Sequence, residues 1–344
     1  MPYNPDSTPL TRDSVLTAHT LIKPHIRRTP LRTSTTLSTL ATTNLPPSSP
    51  RLTLYLKLEP LQKTGSFKLR GATHSILRIP PTTTRVATHS SGNHAAALAL
   101  AAARVNIPST IVMPAISTPS KIAATKKYGG KVVLSGPTAP ERQKALDEVV
   151  ERTGAVVVLP YDSNDTIVGQ GTVALEVMEQ VRELEGEDVD VIVTPVGGGG
   201  LLAGCALAAL GTGTVVCAAE PKGADDCYRG FYSAGQERVE SVEARTVADG
   251  LRTPVGVRNW EVVKQHVKAV FRVEESEIFE AMRLVWERCK VVIEPSSAVP
   301  VAVVLWNKEW AEWVKREFEG REEVRVGIVI TGGNTTLEKV AEMF

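Results

Sequence analysis

The chain has 344 residues, 42% hydrophobic and 22% charged, the make-up of an ordinary folded protein long enough for two cores. Its 39 basic and 38 acidic residues leave a formal net charge of +1, so no global field draws in a nucleic-acid polymer or an anionic membrane. No apolar run approaches the roughly 20 residues that span a bilayer, and the four cysteines form no CxxC pair that would signal zinc or a disulfide framework.

The chain opens MPYNPDSTPLTRDS, without the basic and apolar regions of a signal peptide, and a reducing, cytoplasmic setting is expected. Residues 11–27 carry a helical pattern after Asp13, with Val15, Leu16, Ala18, Leu21 and Ile22 on one stripe. The stretch 33–50 is rich in Ser, Thr and Pro and reads as a surface loop or insertion. A strand is predicted at 52–58. Beyond it, short apolar runs at 85–88, 109–113, 131–134, 156–159, 191–195, 215–220, 269–273 and 326–331 read as strands. Helical patterns separate them at 92–105, 119–128, 140–153, 169–185, 200–210, 275–289 and 296–317. Such alternation predicts an α/β fold with parallel sheets covered on both faces. The pause at about 160–168 marks a change of unit, so two domains are expected rather than one large sheet.

Four segments carry chemistry. In TPVGGGGLLAG a strand ends, Gly197, Gly198, Gly199 and Gly200 follow, and an apolar helix begins. Without side chains the backbone approaches a ligand closely and presents several N–H groups at a positive helix end, which suits a phosphate. The same residues satisfy GxGxxA through Gly198, Gly200 and Ala203, with Glu220 about twenty residues on, which is a dinucleotide signature. A tight turn without a ligand is the third reading. In KTGSFKLRGA, Lys68 stands in a half-apolar turn, where desolvation favours Schiff-base chemistry, although a lone lysine is ordinarily a surface lysine. In SSGNHAAA, Ser90, Ser91, Gly92, Asn93 and His94 lead into an Ala-rich helix whose N-terminus suits a carboxylate. In ITGGN, Thr331 closes an apolar strand, where a hydroxyl is able to meet a ring nitrogen.

Together and in this order, KTGSFKLRGA, SSGNHAAA, PVGGGGLLAG and ITGGN resemble the fold-type II pyridoxal phosphate (PLP) enzymes of the serine racemase, serine/threonine dehydratase and threo-3-hydroxyaspartate dehydratase group. The resemblance runs from about residue 10 to the end, apart from 33–50. It implies a tryptophan synthase β-like architecture of two open twisted parallel-sheet domains, a large one from 1–79 and 161–344 and a small one from 80–160, with the site in the cleft. It implies that Lys68 carries PLP as a Schiff base and then takes the substrate Cα proton. Gly197–Gly200 and Leu201 would hold the phosphate, with Phe67 beside it. Asn93 would meet the ring hydroxyl, Thr331 the ring nitrogen, and Ser90, Asn93 and His94 the substrate carboxylate.

Ser91 would lie across the cofactor plane from Lys68, where a serine serves as the second-face base of the racemases and is shared by hydroxyaspartate dehydratases. Arg142 matches an arginine that reaches a substrate side-chain carboxylate, which favours 3-hydroxyaspartate. Tyr161 departs from the animal racemases, where asparagine is usual, and looks more like the dehydratases or the microbial enzymes. Glu220, Asp226 and the Ala224 carbonyl match a Mg2+ or Ca2+ site of the group. Lys63, Tyr128, Lys290 and Asn334 match parts of a nucleotide site, so ATP is carried as an effector outside the cofactor set. A homodimer is implied as well. The expected reaction is Cα-proton abstraction from L-serine giving D-serine and/or pyruvate plus ammonia. Threo-3-hydroxyaspartate or L-threonine ammonia-lyase is the alternative. A nicotinamide oxidoreductase or a non-catalytic PLP-binding module is more distant.

Overall fold

The computed structural model describes residues 3–90 and 92–344. Its ten strands are β1 (Leu31–Thr33), β2 (Arg51–Leu58), β3 (Val86–His89), β4 (Ser109–Pro114), β5 (Lys131–Ser135), β6 (Val156–Val157), β7 (Val191–Pro195), β8 (Val215–Pro221), β9 (Ala269–Val273) and β10 (Glu323–Ile330). They form a six-stranded sheet in the order β1-β2-β10-β7-β8-β9 and a four-stranded sheet in the order β5-β4-β3-β6. All pairings are parallel except β1 with β2 at the edge.

Helices cover both faces of the larger sheet, so its strands alternate between two cores. Leu54, Leu56, Val191 and Val193 enter one core with Ile278, Val301 and Trp310. Tyr55 and Ile192 enter the other with Val15, Val173 and Leu202. β10 pairs with β2 over eight residues, from Glu323 with Arg51 to Ile330 with Leu58, so the two ends of the chain meet in mid-sheet. The smaller sheet is packed by Leu98 and Ala101 on one face and by Leu146 and Val149 on the other. Helix Lys68–Arg78 lies between the sheets, against helices Asn93–Arg104 and Asn164–Glu185. Among the described residues no helix is long and apolar enough to cross a membrane.

Several local expectations need correction. Residues 33–50 do not form only a loop: helix Thr35–Thr43 buries Leu37 and Ala41 in the main core. Ser34 caps it, accepting from the Leu37 amide at 3.4 Å. The polar composition has a structural use. β1 covers only residues 55–57 of β2, and the Leu52 and Leu54 amides donate instead to Thr42 Oγ1 at 2.9 Å and Ser38 Oγ at 3.0 Å. The hydroxyls thus close part of an exposed sheet edge. The predicted helix 296–317 is two helices, Pro295–Trp306 and Lys308–Glu317, because Asn307 is extended and caps the second through Trp310 at 2.7 Å. Lys68 stands not in a turn but as the first residue of a helix.

Candidate active site

The four motifs converge on one cavity of about 270 Å³. Its lining includes Phe67, Lys68, Ser90, Asn93, His94, Arg142, Tyr161, Gly197–Gly200, Leu201, Glu294 and Thr331. Ser91 lies outside the described residues.

The glycine loop joins β7 to helix Gly200–Ala209. Glycine is required here by contact. A Cβ on Gly198 would stand 2.5 Å from the Tyr161 ring, and one on Gly200 would stand 2.8 Å from the Tyr161 carbonyl oxygen. Gly199 has φ +90°, in the left-handed region. From behind, Asn259 Nδ2 donates to the Gly198 carbonyl at 2.6 Å and to the Tyr161 carbonyl at 3.2 Å. The loop is therefore braced from behind, and the first-turn amides of the helix, which have no intrahelical acceptor, are suited to an anion.

Lys68 Nζ donates to the Pro160 carbonyl at 2.9 Å and lies 5.1 Å from the Phe67 ring centre. Burial lowers its pKa to about 8, with the nearby Glu294 opposing the shift. The lysine motif is locked to the ITGGN motif from the far end of the chain. The Phe67 amide donates to the Thr331 carbonyl at 3.0 Å, and the Gly333 amide donates to the Gly65 carbonyl at 3.0 Å. Thr331 is 3% exposed, and its Oγ1 lies 2.9 Å from Ser297 Oγ.

Asn93 opens helix Asn93–Arg104. Its Oδ1 accepts from Asn334 Nδ2 at 2.8 Å, and its Nδ2 donates to Glu294 Oε1 at 2.8 Å, leaving one Nδ2 hydrogen uncommitted among the described residues. His94 is buried beside the Val158 carbonyl at 3.2 Å, and burial, then Lys68, pushes its pKa down to about 3, so it is neutral. Ser90 has its amide bound to the Val112 carbonyl, and its Oγ accepts from the Gly92 amide at 3.3 Å. Arg142 reaches the cavity from helix Ala139–Thr153, donating to the Pro137 carbonyl at 2.8 Å on the way. It faces His89, whose pKa falls through burial and then this guanidinium.

Sequence reasoning passed over Glu294, Lys121, Asp249 and Ser296, which also line the cavity. Burial and then Asp249 push the Glu294 carboxyl up to about 7. Its signal was an acidic residue set inside an apolar run, VVIEPSSAV. Lys121 and Asp249 form an ion pair at 2.7 Å.

Glu220 and Asp226 lie apart from this cavity. Glu220 accepts from the Cys227 amide at 3.0 Å and the Tyr228 amide at 2.8 Å; Asp226 accepts from the Val255 amide at 2.9 Å. Burial and then Asp226 push Glu220 well above the usual carboxylate range, and burial pushes Asp226 up to about 6. Among the described residues, no group of three or more His, Cys, Asp or Glu side chains gathers at metal-binding spacing. Glu220 is thus enclosed by amides and a second acid, which leaves it no access to a ribose and removes the dinucleotide reading of the glycine turn. Of the nucleotide-site residues, Tyr128 donates to the Lys63 carbonyl at 2.9 Å, Asn334 bonds Asn93, and Lys290 turns back to the Glu287 carbonyl.

Residues 22–332 match the family model described as pyridoxal-phosphate dependent enzyme. The chain is 40% identical over 334 residues to the beta-hydroxyaspartate dehydratase of Paracoccus denitrificans, with 96% of this chain and 98% of that one covered. It is 40% identical over 335 residues to the serine racemase of Arabidopsis thaliana, covering 96% and 95% of the two chains. The solved structure of maize serine racemase superposes with a TM-score of 0.86 at 38% identity and 96% coverage of each chain. With these likenesses spanning the whole fold, and a lysine, a glycine cradle and a hydroxyl gathered on one cavity, the chain belongs to the fold-type II PLP-dependent enzymes.

Proposed function

We propose that this enzyme removes the Cα proton of L-serine, giving D-serine and, with loss of the β-hydroxyl, pyruvate plus ammonia. The observation that carries the reading is Lys68, an amine lowered to about 8 that faces the same cavity as the glycine cradle and Thr331. These residues fit PLP: a Cβ at the glycines would fill the cradle, and Asn93 retains a free Nδ2 hydrogen for a ring hydroxyl. When bound, PLP supplies the electron sink that lowers the acidity barrier at Cα.

Lys68 holds the cofactor and takes the Cα proton at Nζ, oriented by the Pro160 carbonyl. Gly197–Gly200 and Leu201 bind the phosphate, with Phe67 alongside. Thr331 meets the ring nitrogen with a neutral hydroxyl, which supports prompt loss of a β-leaving group over long delocalisation. Ser90, Asn93 and His94 hold the substrate carboxylate largely through backbone donors. Ser91 serves the opposite face. The sheets act as two domains, 1–79 with 161–344 and 80–160, that close on substrate and exclude water. Glu220, Asp226 and the Ala224 carbonyl hold a Mg2+ or Ca2+; two buried acids with raised pKa values, and an Asp226 Oδ1 without a partner among the described residues, fit a cation. The working enzyme is a cytoplasmic homodimer, with ATP as an effector.

Arg142 favours a second reading. Its guanidinium lines the cavity beside His89, a place suited to the second carboxylate of 3-hydroxyaspartate, the substrate class in the name of the Paracoccus relative. Chiral amino-acid analysis with keto-acid assay on L-serine, D-serine, L-threonine and 3-hydroxyaspartate decides. L-Serine turnover surviving in Arg142→Ala supports the first reading. A kcat/KM confined to 3-hydroxyaspartate and lost in Arg142→Ala replaces it with the second. Ser91→Ala is expected to lose D-serine formation while keeping pyruvate formation, and equal loss of both would remove the second-face role.

A further inference from the structure

His89 lines the cavity but takes no part in the cofactor and substrate contacts given above. It is the last residue of β3, at the carboxyl end of a parallel strand, where open α/β sheets place ligands. Strand alternation puts it on the face of Ala87, which packs on Leu146 and Val149 of helix Ala139–Thr153. From that helix Arg142, Gln143 and Asp147 act on the half-buried ring. Gln143 Nε2 donates to Asp147 Oδ1 at 2.7 Å, so its Oε1 is the atom turned to the imidazole. Arg142 commits only Nη1, to the Pro137 carbonyl, and the rest of its fork has no partner among the described residues.

We propose that His89 is a specificity-determining residue: with Arg142 it clamps the distal carboxylate of a dicarboxylic amino acid, and it takes up a proton from solvent as that carboxylate binds. The proposal rests on the reading of Arg142 given above and concerns binding, whichever amino acid is turned over. In the free enzyme burial and the Arg142 guanidinium hold the ring neutral at neutral pH, and Asp147 and the Gln143 bond oppose them only in part. His94, the other ionisable neighbour among the described residues, is neutral as well. A carboxylate set between imidazole and guanidinium supplies the negative charge that favours the imidazolium, which then donates to it from the nitrogen that Gln143 leaves open. The hydroxymethyl group of serine carries no charge and draws no proton. The bound ring therefore titrates at a higher pH than the free ring, and affinity for the dicarboxylate falls as pH rises through the bound value.

The test is competitive inhibition, by L-malate and by 3-hydroxypropanoate, of whichever amino acid the holoenzyme turns over, from about pH 5.5 to about pH 8.5. The two probes share a hydroxyl and one carboxylate, and only malate has the second. The ratio of their inhibition constants cancels the groups that serve the shared carboxylate. The parent is expected to prefer malate, with the preference falling about tenfold across that range. His89→Gln should keep a preference that no longer changes with pH, and Arg142→Met should lose the preference. A parent preference that is flat with pH overturns the proposal without any variant, so it stays testable if His89→Gln does not fold. An undiminished pH dependence in His89→Gln overturns the proposal and leaves the Arg142 reading standing. No preference for malate at any pH, or one unchanged in Arg142→Met, overturns both.

Discussion

Lys68 and Glu294 are charged side chains facing one cavity with pKa values displaced toward neutrality, each by burial. For Lys68 the folded value, about 8, lies below the ordinary 10.5. The uncharged amine is the form that captures an aldehyde, so the rate at which apoenzyme takes up PLP should rise with pH with a midpoint near 8, followed by stopped-flow absorbance. For Glu294 the folded value, about 7, lies above the ordinary 4.5. The folded state then binds more protons between those values, and stability falls as pH rises through that window. Glu294→Gln keeps an acceptor for Asn93 and removes the charge. Its melting temperature relative to the parent should therefore climb as pH rises from about 4.5 to about 7; a flat difference would contradict this. Gly198→Ala meets the Tyr161 ring at 2.5 Å. The overpacking costs about 1–3 kcal/mol and displaces the cradle, so PLP affinity should fall, read by fluorescence titration.

At the scale of elements, helix Thr35–Thr43 shows why composition misled. Ser and Thr disfavour helix interiors because their hydroxyls compete for backbone groups, and the stretch reads as a loop for that reason. In the structure the competition is put to use, since Ser38 and Thr42 satisfy amides of β2. Replacing either with an apolar residue leaves a buried amide unpaired and should cost about 1–3 kcal/mol in urea unfolding. The parallel strands were legible because both faces are buried and the runs are continuously apolar. The helix at Lys68–Arg78 was not, because its inward face carries Arg70, His74 and Ser75, all buried polar residues. The glycine, lysine and asparagine motifs are each ambiguous as local runs, and it is their order along the chain that carries the resemblance. Glu294 meets the site only through its contact with Asn93, 201 residues away in the chain, which no local pattern carries.

The whole molecule brings its two chain ends together around helix Lys68–Arg78. Arg70, two residues from Lys68, is fully buried and makes a two-pronged contact with Glu59 at 2.7 and 2.8 Å while also bonding Glu176 at 2.8 and 2.9 Å. Lys57 adds a bond to Glu176 at 2.6 Å. Two buried cations and two buried anions thus tie β2, the Lys68 helix and helix Asn164–Glu185. Arg70→Met strands the Glu59 carboxylate in the interior without a cation, while Glu176 keeps Lys57, and should cost about 3–5 kcal/mol; a loss under 1 kcal/mol in denaturant titration would contradict this. On the proposed function, Lys68 is the amine in this frame that takes the cofactor. Borohydride reduction of the holoenzyme followed by peptide mass spectrometry should find the phosphopyridoxyl mass on the peptide carrying Lys68, with loss of the visible absorption band and of the adduct in Lys68→Ala; an adduct on another lysine, or a band that persists in Lys68→Ala, would contradict the account.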